Sequence, residues 1–214
     1  MESINALFDQ FTEALDENDK SKAISVFQKA LSSSDLSIPM LYEHLLAPSL
    51  NHIASNSKDQ EIPIWKEHLA SSTVRTALEL SYPRVLIDQQ PKTGQRALVF
   101  CLEEEYHELG ARMTADYLTL LGFETYFIGA NTPRKDILEA IKFFNPNVVC
   151  ISVTNYFHLS RLHDLIVKLP ENRPFKLIVG GYAVHHSSNV EELVKADFYA
   201  NSFDDLKKIK EAIL

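Results

Sequence analysis

The sequence predicts a helical bundle followed by an α/β domain built on a parallel sheet, and three observations carry that reading. Apolar residues recur at helical spacing from Glu2 to about Leu86. From Ala97 onward, short apolar runs alternate with helical patterns, as strands joined by crossover helices do. Between the two, the polar stretch Asp88 to Gln95 reads as a linker. The expected domains are residues 1–87 and 95–214. With 214 residues, 45% of them hydrophobic, the chain is long enough to bury a core in each.

In the first half, Ile4, Leu7, Phe8, Phe11, Ala14 and Leu15 recur at three and four, and so do Ala23, Ile24, Phe27, Ala30 and Leu31. The turn between these helices is expected at Asp16 to Asp19. A third helix starts near Pro39, whose fixed φ suits a first helical turn, and runs through Leu41, Leu45 and Leu46 to about Ala54. Pro48 is expected to kink it. The fourth begins near Pro63 and continues through Trp65 and Arg75 to Leu80. Four helices with short connections imply an antiparallel four-helix bundle.

In the second half the expected strands are Ala97 to Leu102, Thr125 to Ile128, Val148 to Val153, Lys176 to Val179, and a weak fifth at Asp197 to Ala200. Helices are expected over 110–121, 134–143, 159–169, 190–194 and 204–214. Five βα units imply a flavodoxin-like (Rossmann-like) five-stranded parallel sheet. No Gly-x-Gly-x-x-Gly is present, which argues against a dinucleotide-binding version of this architecture.

Composition narrows the function classes. A formal charge of -8 opposes direct binding to a polyphosphate backbone, so nucleic acid is not an expected partner. No window approaches the roughly twenty apolar residues of a membrane span. The start, Met1-Glu2-Ser3-Ile4, lacks the basic and apolar regions of a signal peptide, and a cytoplasmic location is expected. Cys101 and Cys150 sit inside apolar strand patterns and read as small buried hydrophobes. Neither His-Glu-x-x-His nor Cys-x-x-Cys is present to suggest zinc. No general base stands beside a nucleophile, so the chain is not expected to be an enzyme by itself.

The most informative stretch is Glu105-Tyr106-His107-Glu108-Leu109-Gly110, between the first strand and the helix that follows it. It holds a histidine at the carboxyl end of a strand, where open α/β sheets bind ligands. A carboxylate two residues earlier is placed to accept a proton from one imidazole nitrogen, which leaves the other to ligate a metal. Ser152-Val153-Thr154 ends the third strand and Gly180-Gly181 closes the fourth, so all three segments are expected on one rim. His185-His186 follow the diglycine and read as loop residues near the ligand's edge. The pattern resembles the Asp/Glu-x-His-x-x-Gly signature of cobalamin-binding domains.

The helical half adds Glu67-His68, followed by Leu69-Ala70-Ser71-Ser72. Small residues at 70, 71 and 72 let a large flat ligand approach, and His68, Ser72, Arg75 and Glu79 form one polar stripe. A bundle carrying Glu-His-Leu-Ala-Ser, then a sheet domain carrying Glu-x-His-x-Leu-Gly and a diglycine, resembles the cobalamin-binding half of light-dependent MerR-type transcriptional regulators. The likeness spans about residues 5 to 210. The regulators' winged helix-turn-helix has no counterpart in this sequence, which therefore looks like a stand-alone sensor module.

The resemblance implies cobalamin as cofactor, in its adenosyl, methyl or hydroxo form, with His107 as the lower axial ligand of cobalt and the dimethylbenzimidazole tail displaced into the sheet domain. It makes Glu105 the partner of that imidazole and gives Gly110 the role of leaving room beside the tail. Ser152 and Thr154 would contact the tail, and Gly180 and Gly181 would let its nucleotide loop pass close to the backbone. Glu67 and His68 would lie over the upper face. One departure stands out: the photoreceptors carry Trp-His ten and nine residues before their Glu-His pair, whereas this chain has Ser57 and Lys58. Trp65 and His52 are the nearest substitutes, read here as a core tryptophan and a surface histidine.

The function expected on this basis is a sensor of light or of the cofactor that acts through a regulatory protein partner or self-association. The alternative is a corrinoid methyl carrier for a methyltransferase system. Methyl carriers usually read Gly-Lys-Asn after the signature, while here Gly110 is followed by Ala111-Arg112-Met113.

Overall fold

A computed structural model describes residues 3–56 and 63–214. The chain forms two compact units, Met1–Ile87 and Asp88–Leu214. In the first, α1 (Ile4–Asp16) and α2 (Lys20–Leu31) are followed by the single turn α3 (Ile38–Leu41), a π turn (Tyr42–Leu46), α4 (Ala47–Asn56) and the long α5 (Ile64–Ile87). The first three starts have a chemical cause: the side chains of Ser3, Asp19 and Ser37 accept hydrogen bonds from the Ala6, Lys22 and Met40 N–H groups. Phe11, Phe27, Tyr42, Leu45, Val74 and Leu78 are fully buried and make the core of the bundle.

At Pro48, where a kink is expected, the third helical run changes its hydrogen-bond pattern. The turn before it widens, so that the Ala47 N–H reaches back to the Tyr42 carbonyl. A π turn absorbs the break that a residue without an N–H imposes on the helical ladder. Likewise α5 runs beyond the expected Leu80 and through Pro83, which lies on its exposed side.

The second unit has the order β1 (Arg96–Leu102), α6 (Leu109–Leu120), β2 (Glu124–Thr132), α7 (Arg134–Phe144), β3 (Val148–Ser152), a 3-10 turn (Tyr156–His158), α8 (Leu159–Ile166), β4 (Lys176–Gly180), α9 (Tyr182–His186), α10 (Val190–Leu193), β5 (Phe198–Tyr199) and α11 (Phe203–Ile213). All neighbours are parallel, in the order β2-β1-β3-β4-β5, which is the flavodoxin-like arrangement. Leu98, Phe100, Val149, Ile151, Leu177 and Val179 pack with Leu162 and Leu165 of α8 on one face. The other face is covered by α6 and α11, where the Tyr117 and Phe203 rings meet edge-on at 5.3 Å. A sheet covered on both sides explains why its central strands read as unbroken apolar runs.

Three local expectations change. β2 runs on to Thr132, because register shifts after Val99 and Phe100 keep its polar end paired with β1. His185 and His186 lie on the short helix α9 rather than in a loop. The supposed linker is tied into the second unit: the Gln90 N–H donates to the Leu120 carbonyl (2.8 Å), the Thr93 N–H to the Gly122 carbonyl (2.9 Å), and Lys210 Nζ to Gln90 Oε1 (2.7 Å).

Candidate functional site

The sheet order reverses direction between β1 and β3, and the loops leaving these strands flank the crevice where such folds take ligands. Residues 103–108 form the first loop, and β2 and α8 hold it from both sides. The Glu104 N–H donates to Asn131 Oδ1 (2.8 Å), the Asn131 N–H to the Glu105 carbonyl (2.9 Å), and the Ala130 N–H to Glu108 Oε2 (2.9 Å). Glu104 and Asn131 both adopt left-handed backbone conformations, at φ 65 and 50. Arg161 of α8 donates to the Glu103 carbonyl (3.1 Å) and to the Glu104 carboxylate (2.5 Å). This bracing turns the Glu105 side chain fully inward, 0% exposed, and the His107 side chain outward, 55% exposed.

Five donors converge on the Glu105 carboxylate. Its Oε1 accepts from His107 Nδ1 at 2.6 Å and from the His107 N–H at 3.1 Å. Its Oε2 accepts from the Thr154 N–H, the Asn155 N–H and His158 Nδ1, all at 3.0 Å. Burial by itself pushes this carboxyl up, but the bonds from His107, Asn155 and His158 prevail and hold it well below the usual glutamate range. An ionised carboxylate only accepts, so both imidazoles carry their proton on Nδ1, and the lone pair of His107 sits on Nε2. That is the tautomer a metal-ligating histidine needs. Behind the loop, burial pushes the Cys101 thiol up to about 12, aided by the charges of Glu105 and Glu108. Cys150 is buried and raised for the same reason.

The remaining expected residues are placed as follows. Gly110 lies in the first turn of α6, and a Cβ built there would have nothing within 4 Å. Ser152 ends β3, buried, in register with Cys101 and Gly180. Thr154 offers its backbone N–H to Glu105. Gly180 and Gly181 are needed for a reason internal to the protein: an added Cβ would come within 2.4 Å of the Ala200 carbonyl oxygen at the first, and 2.5 Å of the Val153 carbonyl oxygen at the second. Glu67 and His68 belong to the other unit, exposed on the first turns of α5. Trp65 is 58% exposed and is not a core residue, which corrects the reading from sequence. His52 Nε2 is paired with Asp16 at 3.2 Å. Ser57 and Lys58 lie outside the described residues. Sequence reasoning missed His158 and Asn131, which act at the loop from other strands' ends. The only signal for them was a polar cluster after each strand.

A family model described as a B12 binding domain matches residues 95–202, and a second, described in the same words, matches residues 7–81. The chain belongs to the B12-binding domain family. Cobalamin is its cofactor, and the residues at the rim fit that group: one outward imidazole in the ligating tautomer, beside open space at Gly110. Among the described residues no cluster of three or more His, Cys, Asp or Glu is arranged to hold a metal ion. The HTH-type transcriptional repressors CarA and CarH of Myxococcus xanthus are 28% and 26% identical over 69% and 71% of this chain. The matches cover 50% of each repressor, so the chain spans about half the length of these relatives. Dimethylamine corrinoid protein 3 of Methanosarcina acetivorans is 22% identical over 100% of both chains. The monomethylamine corrinoid protein of Methanosarcina barkeri shares the fold, with a TM-score of 0.84 at 18% identity, over 99% of this chain and 100% of that one. Among the described residues, no helix is long and apolar enough to cross a membrane.

Proposed function

We propose that the protein is a corrinoid methyl carrier that serves partner methyltransferases. One observation carries the reading: the likeness to dimethylamine corrinoid protein 3 runs through the whole of both chains, helical unit included, while the likeness to the repressors covers half of their length. The match to the monomethylamine corrinoid protein shows the same two-part fold. When bound, cobalamin supplies a cobalt that takes a methyl group from one partner and yields it to another.

In this reading His107 is the lower axial ligand, fixed in its tautomer by Glu105, which is itself held by the loop after β3. Gly110, Ser152 and Thr154 would line the tail of the bound cofactor, with the tight Gly180–Gly181 corner next to it. Glu67 and His68 would serve its upper face, where a carrier has to admit its partners. The exposure of Ile64, Trp65, Glu67, His68 and Leu69 on α5 supports such a role.

A second reading, a sensor of light or of cofactor form that acts by protein association, is supported by the two repressors and by Ala111-Arg112-Met113 after the signature. In the structure Arg112 is engaged inside its own unit, 3.6 Å from Asp116 and over the Phe127 ring at 5.5 Å. The two readings part experimentally. A carrier loaded with radiolabelled methylcobalamin passes label to an acceptor thiol when a methyltransferase is added. Loaded with adenosylcobalamin, it keeps one molecular mass in the dark and after green light. A light-dependent change of mass without methyl transfer would overturn the carrier in favour of the sensor.

A further inference from the structure

We infer that the open groove between α8 and α10 is a docking site for a basic amphipathic helix of a partner protein. The inference holds for a carrier and for a sensor alike, since both act through protein association, and it does not depend on bound cobalamin. The groove, of about 480 Å³, lies in the second unit and is lined by Leu159 at the start of α8, by Ser187 to Val190, and by Glu192 and Leu193 of α10. α8 follows the loop after β3, so a partner held here stands beside the rim of the crevice.

Packing of its own residues does not account for α10, because none of the four is buried. It is held from its C-terminal end: His163 Nδ1 donates to the Leu193 carbonyl at 2.7 Å, the Tyr199 hydroxyl donates to the Val194 carbonyl, and Val194, just beyond the helix, is buried. These ties leave Leu193 exposed in the groove with Leu159. Along α8, Leu159, His163 and Val167 follow at four-residue spacing and share a face, so the apolar track continues along that helix. Val167 is exposed, and so is Phe157 just before α8. Single exposed apolar side chains are ordinary on a protein surface, but apolar side chains gathered around one groove mark an interaction site. Charge selects the occupant. Among the described residues the lining holds the carboxylate of Glu192 and no cation, with Glu191 exposed next to it in sequence. The walls are helices and a loop, so an added strand would find no sheet edge to pair with. A helix with apolar anchors for Leu159, Val190 and Leu193, and with lysine or arginine flanking them, meets both demands. The same acidic lining repels a polyphosphate backbone.

The test titrates the cobalamin-free full chain into a fluorescein-labelled amphipathic helical peptide built from leucine and lysine, and into one of the same pattern built from leucine and glutamate, with anisotropy as the readout. The lysine peptide should bind and the glutamate peptide should not. Leu193→Asp removes an apolar anchor at an exposed position and should weaken binding about tenfold, on the scale of a central interface residue. Glu192→Lys should weaken it by a similar factor. Glu171→Lys makes the same charge change in the loop before β4, at the opposite end of the strands, and should stay within about twofold of wild type, because salt screens a charge that far away. Leu193→Asp separates the two sources of affinity, since it adds a negative charge, and attraction by net charge alone would tighten on it. Val167→Asp, on the α8 side of the track, repeats the test should α10 not tolerate the change, and urea unfolding checks that each variant is folded. Binding that is unchanged or tighter in the folded aspartate variants, or weakened equally by Glu171→Lys and Glu192→Lys, would overturn the inference. Equal binding of the two peptides, or no binding of the lysine peptide, would overturn it as well.

Discussion

Glu105→Gln changes the charge of the central carboxylate while keeping its shape, and its consequences follow from the five donors around it. An amide offers one acceptor oxygen and one NH2. If the NH2 replaces Oε2, it faces the N–H groups of Thr154 and Asn155, neither of which can invert, and His158. If it replaces Oε1, it faces one backbone N–H and the ring of His107, which can move its proton from Nδ1 to Nε2. The second orientation strands one buried backbone donor instead of two, so it is the one adopted. Its cost to the fold is about 1–3 kcal/mol. Its cost to the site is larger, since a His107 protonated on Nε2 cannot ligate. The loss of cobalamin affinity should reach about a hundredfold, at the upper end for residues behind a ligating histidine.

Calorimetric titration with hydroxocobalamin measures the second effect, and urea unfolding of the cobalamin-free protein the first. Acid provides an internal control. The Glu105 carboxyl is held below its unfolded value, so its stabilisation is fully present above about pH 4.3 and is lost as pH falls through that range toward the folded value. The stability gap between wild type and Glu105→Gln should therefore be constant near neutrality and close in acid. A gap that stays constant down to about pH 3, or an unchanged affinity at pH 7, would refute the hydrogen-bond reasoning.

Other expectations follow from single placements. His107→Ala should remove the imidazole-nitrogen splitting from the Co(II) electron paramagnetic resonance spectrum of the cobalamin-loaded protein and greatly weaken cobalamin binding. Unfolding should be nearly unchanged, because the side chain is 55% exposed and Glu105 keeps Thr154, Asn155 and His158. Gly181→Ala should destabilise the second unit in urea by about 2–6 kcal/mol, combining about 1–3 for a side chain at φ 97 with about 1–3 for a Cβ pressed against the Val153 backbone. Cys101 and Cys150 should resist thiol reagents at pH 8 in the folded protein and react on unfolding, since burial keeps both thiols protonated.

How legible the molecule was depended on whether a feature is local in sequence. β1, β3 and β4 read directly, because a strand buried on both faces is an apolar run bounded by polar turns. The polar end of β2 did not, since its pairing with β1 after two register shifts leaves no hydrophobic trace. Residues 88–95 are polar in composition, yet their backbone donors find the carbonyls at the end of α6. The bond between Glu105 and His107 spans two residues and was readable. The one between Glu105 and His158 spans fifty-three and was not. At Gly180 and Gly181 the structure adds a constraint that the sequence does not show, the close approach of the Ala200 and Val153 backbones.

The position of Glu105 links fold and function at one atom group. In the order β2-β1-β3, the chain leaves β1 toward α6 on one face and β3 toward α8 on the other, so the two loops part over the crevice. Parting opens the ligand site and also removes the neighbours that would hold it in shape. A buried carboxylate from the first loop restores the tie by reaching the amides of the second, and its desolvation is offset by the donors that meet it. Two of those donors come from His107, so the same charge that closes the rim fixes the tautomer of that imidazole. A chain that kept this fold but abandoned the cofactor would still need Glu105 for the loops, and nothing in the loops would require His107. The presence of both, with the imidazole turned outward, is what the proposed ligation by His107 requires and what folding alone does not.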